Sequence, residues 1–423
     1  MEDRRTFLKM MGATLVSPRV FGANDRVQMG IIGVGGRGNQ DYEAFMHNKD
    51  VVFVAACDVQ KNRLNQFVQK REGTKMAAFG DYRRLLESKD VDAVLITTPD
   101  HWHSPMLVDA LAAGKDVYVE KPVSNALEPA LKMVAAVRGS KQVVQVGCQQ
   151  RSWAHFQDWS KKTLGGYLGK INHCVLLYPG GGAFGSPQPE QPQTPPDSLD
   201  WEMFQGPAPR HPYVANRLRW RSYWDYGGGA ITDWGVHLTD VMLWYMNADA
   251  TAPVLTSASA IYTSGQDPKE VAPDTFSITW DYGSFVATLT NATPPSLEQG
   301  YGMPEMYGNW FYGQRGVLLV NRYGYELRPM SQRMGRAGGG TAPEALKPER
   351  DMDPKGMSED PEGKGGSATV RHTRNFLDCV KSRAKTACPI EVGFNSTLPT
   401  LLAILSVREK KMFTWDGKQA RPA

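Results

Sequence analysis

At 423 residues the chain exceeds what one hydrophobic core ordinarily supports, so two domains are expected. Hydrophobic residues make up 41% and charged residues 22%, with a net charge of +4 and no block of like charges. That balance points away from nucleic acid and toward a small, largely neutral ligand.

The first residues carry an address. Arg4-Arg5 followed by Thr6, Phe7, Leu8 and Lys9 resembles the twin-arginine export motif, and a mildly apolar stretch runs from Met10 to Ala23. Residues 1–25 are therefore expected to be a leader. The twin-arginine machinery would take the chain to the periplasm; with a silent leader it would stay in the cytoplasm. No run reaches the ~18 consecutive apolar residues of a transmembrane helix. Five scattered cysteines, Cys57, Cys148, Cys174, Cys379 and Cys388, lack CxxC spacing and indicate neither a zinc site nor a disulfide framework.

From Val27 the pattern alternates strand and helix. VQMGIIGVG, VVFVAACD, VDAVLITTP, DVYVEKP and QVVQVGCQQ read as strands, and polar or amphipathic helix patterns separate them. This predicts an α/β fold: a Rossmann dinucleotide-binding domain over 26–150, with a parallel sheet covered on both faces. Residues 151–423 read as an α+β domain. Pro179–Pro212 is a Gly/Pro/Gln-rich loop. VLTSASAIYT, DTFSITWDY, SFVATLTNA and RGVLLVNRYGYELRP are strand-like with short connections, which predicts a large, mostly antiparallel open sheet. A low-complexity insertion is expected at about 333–367, with closing helices over 371–411.

The motif with the clearest mechanism is Gly33-Val34-Gly35-Gly36-Arg37-Gly38, a GxGxxG placed directly after the first strand. Its glycines permit a tight turn and close approach of a pyrophosphate, which the amino-terminus of the next helix favours electrostatically. Asp58 ends the second strand twenty residues after Gly38. A carboxylate there accepts hydrogen bonds from ribose hydroxyls and repels a 2′-phosphate, so NAD is expected over NADP. Arg37 leaves an opening for a phosphate.

TTPDHWHSPMLVDALAAGKDVYVEKP, with WDYGGGAITDWGVHLTD, LDWEMFQGPAP and HTRNFLDCVKSR, resembles the Gfo/Idh/MocA family of sugar and polyol oxidoreductases. The resemblance implies that Thr98, Pro99, His103 and Glu120 lie at the cofactor and that Lys121 sits between nicotinamide and substrate. It maps Asp233 and His237 onto the family's catalytic Asp-x-x-x-His pair. The bare chemistry agrees: an ammonium at the carboxyl end of a parallel strand can stabilise alkoxide character, and an imidazole can take a hydroxyl proton. On one helix, Asp233 and His237 would share a face. Asp240 either orients the His237 ring or caps local structure; a metal held by these three is not needed for hydride transfer. His103 reads equally as a ligand contact or a loop brace.

Tryptophans and tyrosines concentrate between 153 and 245, and Arg219, Trp220, Arg221 and Trp224 are expected as a group to contact a carbohydrate. The expected activity is NAD-dependent oxidation of a ring hydroxyl of a sugar or glycoside with tightly bound cofactor. Because some relatives in the family are NAD-dependent glycosidases, a redox-neutral cycle of oxidation, elimination and re-reduction stands beside it. A homo-oligomer is expected from the resemblance and the open sheet.

Overall fold

Short apolar segments, almost wholly buried except for the exposed β3, form the first sheet: β1 (Val27–Ile32), β2 (Val51–Cys57), β3 (Ala77–Phe79), β4 (Ala93–Ile96), β5 (Asp116–Val119) and β6 (Val144–Val146). Each pair is parallel, and the order is β3-β2-β1-β4-β5-β6, the doubly wound order with its switch point between β1 and β4. The helices between them are α1 (Gly36–Met46), α2 (Lys61–Gln69), α3 (Tyr82–Leu86), α4 (Asp100–Ala112) and α5 (Leu127–Arg138). The computed structural model describes residues 26–71, 73, 75–178, 190–262, 267–291, 306–330, 345–352 and 368–423. The leader and most of the low-complexity insertion lie outside them.

After α6 (Ala154–Leu164), β7 (Ile171–Leu177) opens the second sheet. The chain then runs through α7 (Trp201–Gln205), α8 (Gly229–Asp233) and α9 (Gly235–Tyr245). Next come β8 (Leu255–Ile261), β9 (Thr275–Asp281), β10 (Val286–Thr290), β11 (Gly308–Gly313), β12 (Gly316–Asn321), β13 (Gly324–Pro329) and β14 (Glu349–Met352). It closes with α10 (Ala368–Ser382), α11 (Ile390–Glu409), β15 (Phe413–Trp415) and β16 (Ala420–Pro422). The ten-stranded order is β14-β13-β12-β11-β7-β10-β9-β8-β15-β16, antiparallel except where β7 meets β10. β9 shows why one face is buried: Phe276, Ile278 and Trp280 point inward while Ser277, Thr279 and Asp281 alternate outward.

Several details differ from the sequence reading. RGVLLVNRYGYELRP is a hairpin, β12 and β13, with Arg322 and Tyr323 in its turn. Within the expected insertion, Glu349–Met352 pairs with β13 as the sheet's edge. α10 belongs physically with the first domain: Phe376, Leu377, Cys379 and Val380 share a core with Val27, Phe45 and Tyr118. Phe376 meets Phe45 edge-on at 6.0 Å, and Arg374 and Lys381 both bind Asp50. A sequence boundary at 150 misses this because the apolar stripe of α10 does not say which domain it faces.

α11 has the length and mean hydropathy of a membrane span, yet 78% of its apolar window is buried inside the protein. It packs on α9, β8 and α5, joining the two domains. Each of its fully buried leucines, Leu398, Leu401 and Leu402, contributes on the order of 1.5–3 kcal/mol by removal from water.

Asp240 is explained here. Arg151 Nε lies 2.7 Å from its Oδ1, Ser396 Oγ donates to the same oxygen, and Arg151 also binds Asp249 at 2.6 Å. Asp240 thus anchors the junction and does not orient His237. Because Asp240 is 1% exposed, Arg151→Met leaves a buried carboxylate without its cation. We expect a loss of about 3–5 kcal/mol, read as a fall in the thermal midpoint, and recovery of most of it in the double variant Arg151→Met/Asp240→Leu. An unchanged midpoint would show the pair to be inert.

Candidate active site

The glycine turn does two separate jobs. Gly33 has φ of +91°, and a Cβ there would press within 2.9 Å of the Thr97 backbone. A Cβ on Gly38 would collide with the Gly33 carbonyl oxygen. These two glycines are required by the protein itself. Gly35 and Gly36 are different: a Cβ on Gly36 meets nothing within 4 Å, and one on Gly35 only Arg63 at 4.0 Å. They border open space at the amino-terminus of α1, which no side chain caps. Unused N–H groups, a positive helix end and room beside them fit a pyrophosphate.

That space continues into an open cleft. One wall carries Gly33, Gly35, Gly36, Arg37, Asp58, Thr98 and Pro99; the other carries Met203, Phe204, Leu218, Trp220 and Arg221. Asp58 accepts hydrogen bonds from Val34 N at 3.0 Å and Gln60 N at 2.8 Å, so its carboxylate is held in place. Burial pushes its carboxyl upward, opposed by Arg63 and these two amides. Arg63, 3.8 Å from Asp58, was not singled out by the sequence reading; nothing in a helical stretch of mixed polar residues marks it.

Arg37 is committed elsewhere. Its Nε lies 3.1 Å from Glu120 Oε1 and its Nη2 2.8 Å from Asp41. Glu120 in turn accepts from Lys121 N at 3.1 Å, and only a glycine at 147 leaves room for its carboxylate. Glu120 therefore shapes the Lys121 turn instead of lining the cleft. His103 does the same. Its Nδ1 is 2.7 Å from Pro122 O and its Nε2 3.0 Å from Thr98 O, so both ring nitrogens are engaged and the residue is 1% exposed. It is a brace between β4 and the turn after β5. The Lys121-Pro122 peptide is cis.

The expected polar centre does assemble, with altered partners. Lys121 Nζ donates to Asp233 O at 2.6 Å and to Asp233 Oδ1 at 3.1 Å. Arg221 Nε donates to that same Oδ1 at 3.1 Å, which links the centre to the nucleotide cleft. Burial disfavours the Asp233 charge, but Lys121 and Arg221 outweigh it and hold the carboxyl down at about 2. Asp233 closes α8 and His237 lies within α9, with Trp234 at the break. The two therefore do not share one helix, and Asp233 serves the cations rather than the imidazole. His237 is 5% exposed, and its Nδ1 is buried with no hydrogen-bond partner. Burial, reinforced by Lys121, Arg322 and Arg37, keeps its ring well below 6.5 and so neutral. Asp100 also faces this charge set; burial pushes it well above the ordinary carboxylate range against the pull of Arg221.

Of the expected carbohydrate group, Trp220 and Arg221 line the cleft. Arg219 is exposed and does not line it. Trp224 is 5% exposed and donates its Nε1 to Pro268 O, so it is core. The surprise is the segment around α7, which roofs the nucleotide end. Lys61 N donates to Ser198 O at 2.7 Å and Asp200 N to Val59 O at 3.0 Å, on either side of Gln60 and just beyond Asp58. Trp102 Nε1 reaches Met203 O and Phe204 O. A sequence cannot show that a loop crosses back over its neighbour domain.

A doubly wound sheet, a glycine turn with a free helix end and an acidic group closing the second strand define a dinucleotide-binding enzyme domain. The NAD-binding Rossmann fold of the GFO_IDH_MocA oxidoreductase family matches residues 27–148, and that family's C-terminal alpha/beta domain matches 185–284. The chain belongs to this Gfo/Idh/MocA family, and its cofactor is NAD. Among curated proteins it is similar to "Glycosyl hydrolase family 109 protein 1" of Shewanella sp. (strain ANA-3), 34% identical over 127 residues, 28% of this chain and 27% of that one. It is also similar to an alpha-N-acetylgalactosaminidase of Shewanella oneidensis, 33% identical over 127 residues with the same shares. The match thus spans only about a quarter of these relatives' length. In fold it resembles an oxidoreductase domain protein from Kribbella flavida, with a TM-score of 0.67, 16% identity and coverage of 94% and 100%. The WlbA dehydrogenase from Bordetella pertussis, solved with NADH and UDP-GlcNAcA, gives 0.63, 17%, 93% and 99%.

The two kinds of glycine can be separated experimentally. Gly38→Ala should lower both the thermal midpoint and NAD affinity. Gly36→Ala should leave the midpoint unchanged or raise it, as Ala favours a helix by about 1 kcal/mol, while still weakening NAD binding. Titration calorimetry beside thermal denaturation reads both, and normal NAD affinity in Gly36→Ala would remove the pyrophosphate from that position.

Proposed function

We propose that this chain oxidises a ring hydroxyl of a sugar or glycoside, using an NAD that it retains through many turnovers. The observation that carries the reading is the cluster at the end of the nucleotide cleft: Lys121 and Arg221 on one carboxylate of Asp233, with the neutral His237 nearby holding an unused buried nitrogen. Bound in the cleft, the nicotinamide supplies a hydride acceptor. The chain's own residues handle the proton. Lys121 has two of its three N–H groups on Asp233, leaving one to hydrogen-bond the substrate hydroxyl and stabilise it as it becomes alkoxide-like. His237, kept neutral by burial and adjacent cations, is able to accept the proton. Asp233 and Arg221 position the ammonium.

NAD is favoured over NADP in this reading because Asp58 stands at the ribose end and Arg37 is already bound to two carboxylates. Tight retention is supported by the roof: opening the adenosine end requires breaking the hydrogen bonds that Ser198 and Asp200 make to Lys61 and Val59, just beyond Asp58. Retention suits export, since a twin-arginine passenger folds around its cofactor before leaving the cytoplasm and finds no free NAD outside.

A second reading has its own support. The curated relatives named as glycoside hydrolases match part of the chain, and oxidation, elimination of the aglycone and re-reduction would need the same lysine and histidine. It also closes the redox cycle without an external acceptor. A panel of glycosides scored for both ketone formation and aglycone release decides between the two. Neither product from any glycoside would refute both.

His237→Ala should lower turnover by ~100-fold or more with NAD binding retained, the size of effect expected for a lost general base. Since the histidine is held below 6.5, wild-type kcat/KM should stay level through neutral pH and fall only on the acid side of that value, as the ring protonates. A level profile in the wild type down to acid denaturation would exclude it as base. Purified protein should release nucleotide at near one per chain on denaturation, as a pre-formed, roofed site implies; a well-folded, nucleotide-free chain with a millimolar NAD requirement would contradict retention.

A further inference from the structure

In the oxidation described above, one cation beside His237 acts only through its charge on the ring and is given no ligand of its own. Arg322 lies in the turn between β12 and β13, and that turn is tightly built. Asn321, 1% exposed, accepts from Tyr323 N and donates to Tyr307 O, both at 2.8 Å. Its own carbonyl meets His155 Nε2 at 2.8 Å. From this support the Arg322 guanidinium extends over the Trp234 ring, 4.9 Å from its centroid. Trp234 is stacked on Tyr178 at 4.8 Å and meets the His237 ring at 5.9 Å. Arg322 and His237 therefore share one aromatic platform.

The other arginines at the two ends of the site have carboxylate partners: Arg37 has Asp41 and Glu120, and Arg221 has Asp233. Among the described residues Arg322 meets no carboxylate, and its Nε is buried without an acceptor. A buried donor left unpaired costs about 1–3 kcal/mol, a penalty that a ligand acceptor would remove. Neighbouring charges do not compensate. Asp233 is shared by two cations, Glu120 and Asp41 are taken by Arg37, and Asp100 is too deeply buried to ionise readily. Among the described residues the substrate end carries more positive than negative charge, with a planar fork beside it. A guanidinium fork fits a carboxylate through two parallel hydrogen bonds.

We propose that Arg322 recognises a carboxylate on the substrate ring, so that the preferred substrate is a hexuronic acid or its glycoside and not a neutral hexose. This replaces the neutral ligand suggested by overall charge, and it rests on the sugar-oxidising reading only for which hydroxyl chemistry follows binding. The test uses holoenzyme in two assays. Calorimetric titration compares glucuronate and galacturonate with glucose and galactose. Initial rates compare the methyl hexuronides with the methyl hexosides. We expect the uronates to bind at least about tenfold more tightly, and Arg322→Gln to lose ~10–100-fold for the acidic ligands while changing the neutral ones less than twofold, as for a hydrogen bond to a charged group. The rate loss should fall on KM, and Arg322→Lys should recover part of it. Retained nucleotide in each variant confirms folding. Equal binding of acidic and neutral sugars, no binding of either uronate, or indifference of uronate binding to Arg322→Gln overturns the proposal. If uronates bind through Arg322 but no glycoside is oxidised or cleaved, the anion site stands and the oxidoreductase reading falls. If neutral glycosides are oxidised and Arg322→Gln is indifferent, the reverse holds.

Discussion

The contact on which the rest depends is the shared carboxylate of Asp233. Lys121 reaches it from the end of β5 in the first domain, and Arg221 reaches it from the segment that roofs the cleft. Without Asp233, two cations would face each other in a nearly dry site. With it, the ammonium is fixed at the carboxyl end of the parallel sheet. The same atom joins nucleotide cleft, roof and second domain, so site geometry and domain arrangement are one problem.

Around that contact the protein uses buried polar groups mostly as braces. Glu120 and Arg37 hold the Lys121 turn from one side and His103 from the other. Arg151 and Asp240 hold α9 against the end of β6. Each of these groups is satisfied by named partners, which is the condition for burying polarity without loss of stability. Among the buried polar atoms that lack a partner, His237 Nδ1 and Arg322 Nε both stand beside Trp234.

The sequence alone determined five of the six strands of the first domain. Those five are buried on both faces and so read as continuous apolar runs, and the glycine turn, Asp58 and Lys121 fall at strand ends where local pattern suffices to place them. The short, largely exposed β3 and the docking of α10 carry no such pattern. The antiparallel character of the second sheet was also legible from the short connections between its strand-like stretches. β7, β11 and the short edge strands were not, because their residues alternate weakly and their pairing is set by partners far away in the chain.

Only the tertiary structure decided what each polar residue does. The spacing of Asp233 and His237 suggested a pair on one helix, but the break at Trp234 turns the carboxylate to Lys121 and Arg221. Asp240 and His103 became braces, Trp224 became core, and the roof came from a segment whose motif does not show where it docks. The physical reason is common to all: a motif fixes the direction of a side chain relative to its own element, whereas the charge, burial and hydrogen-bond partners that define its chemistry come from elements brought against it by folding.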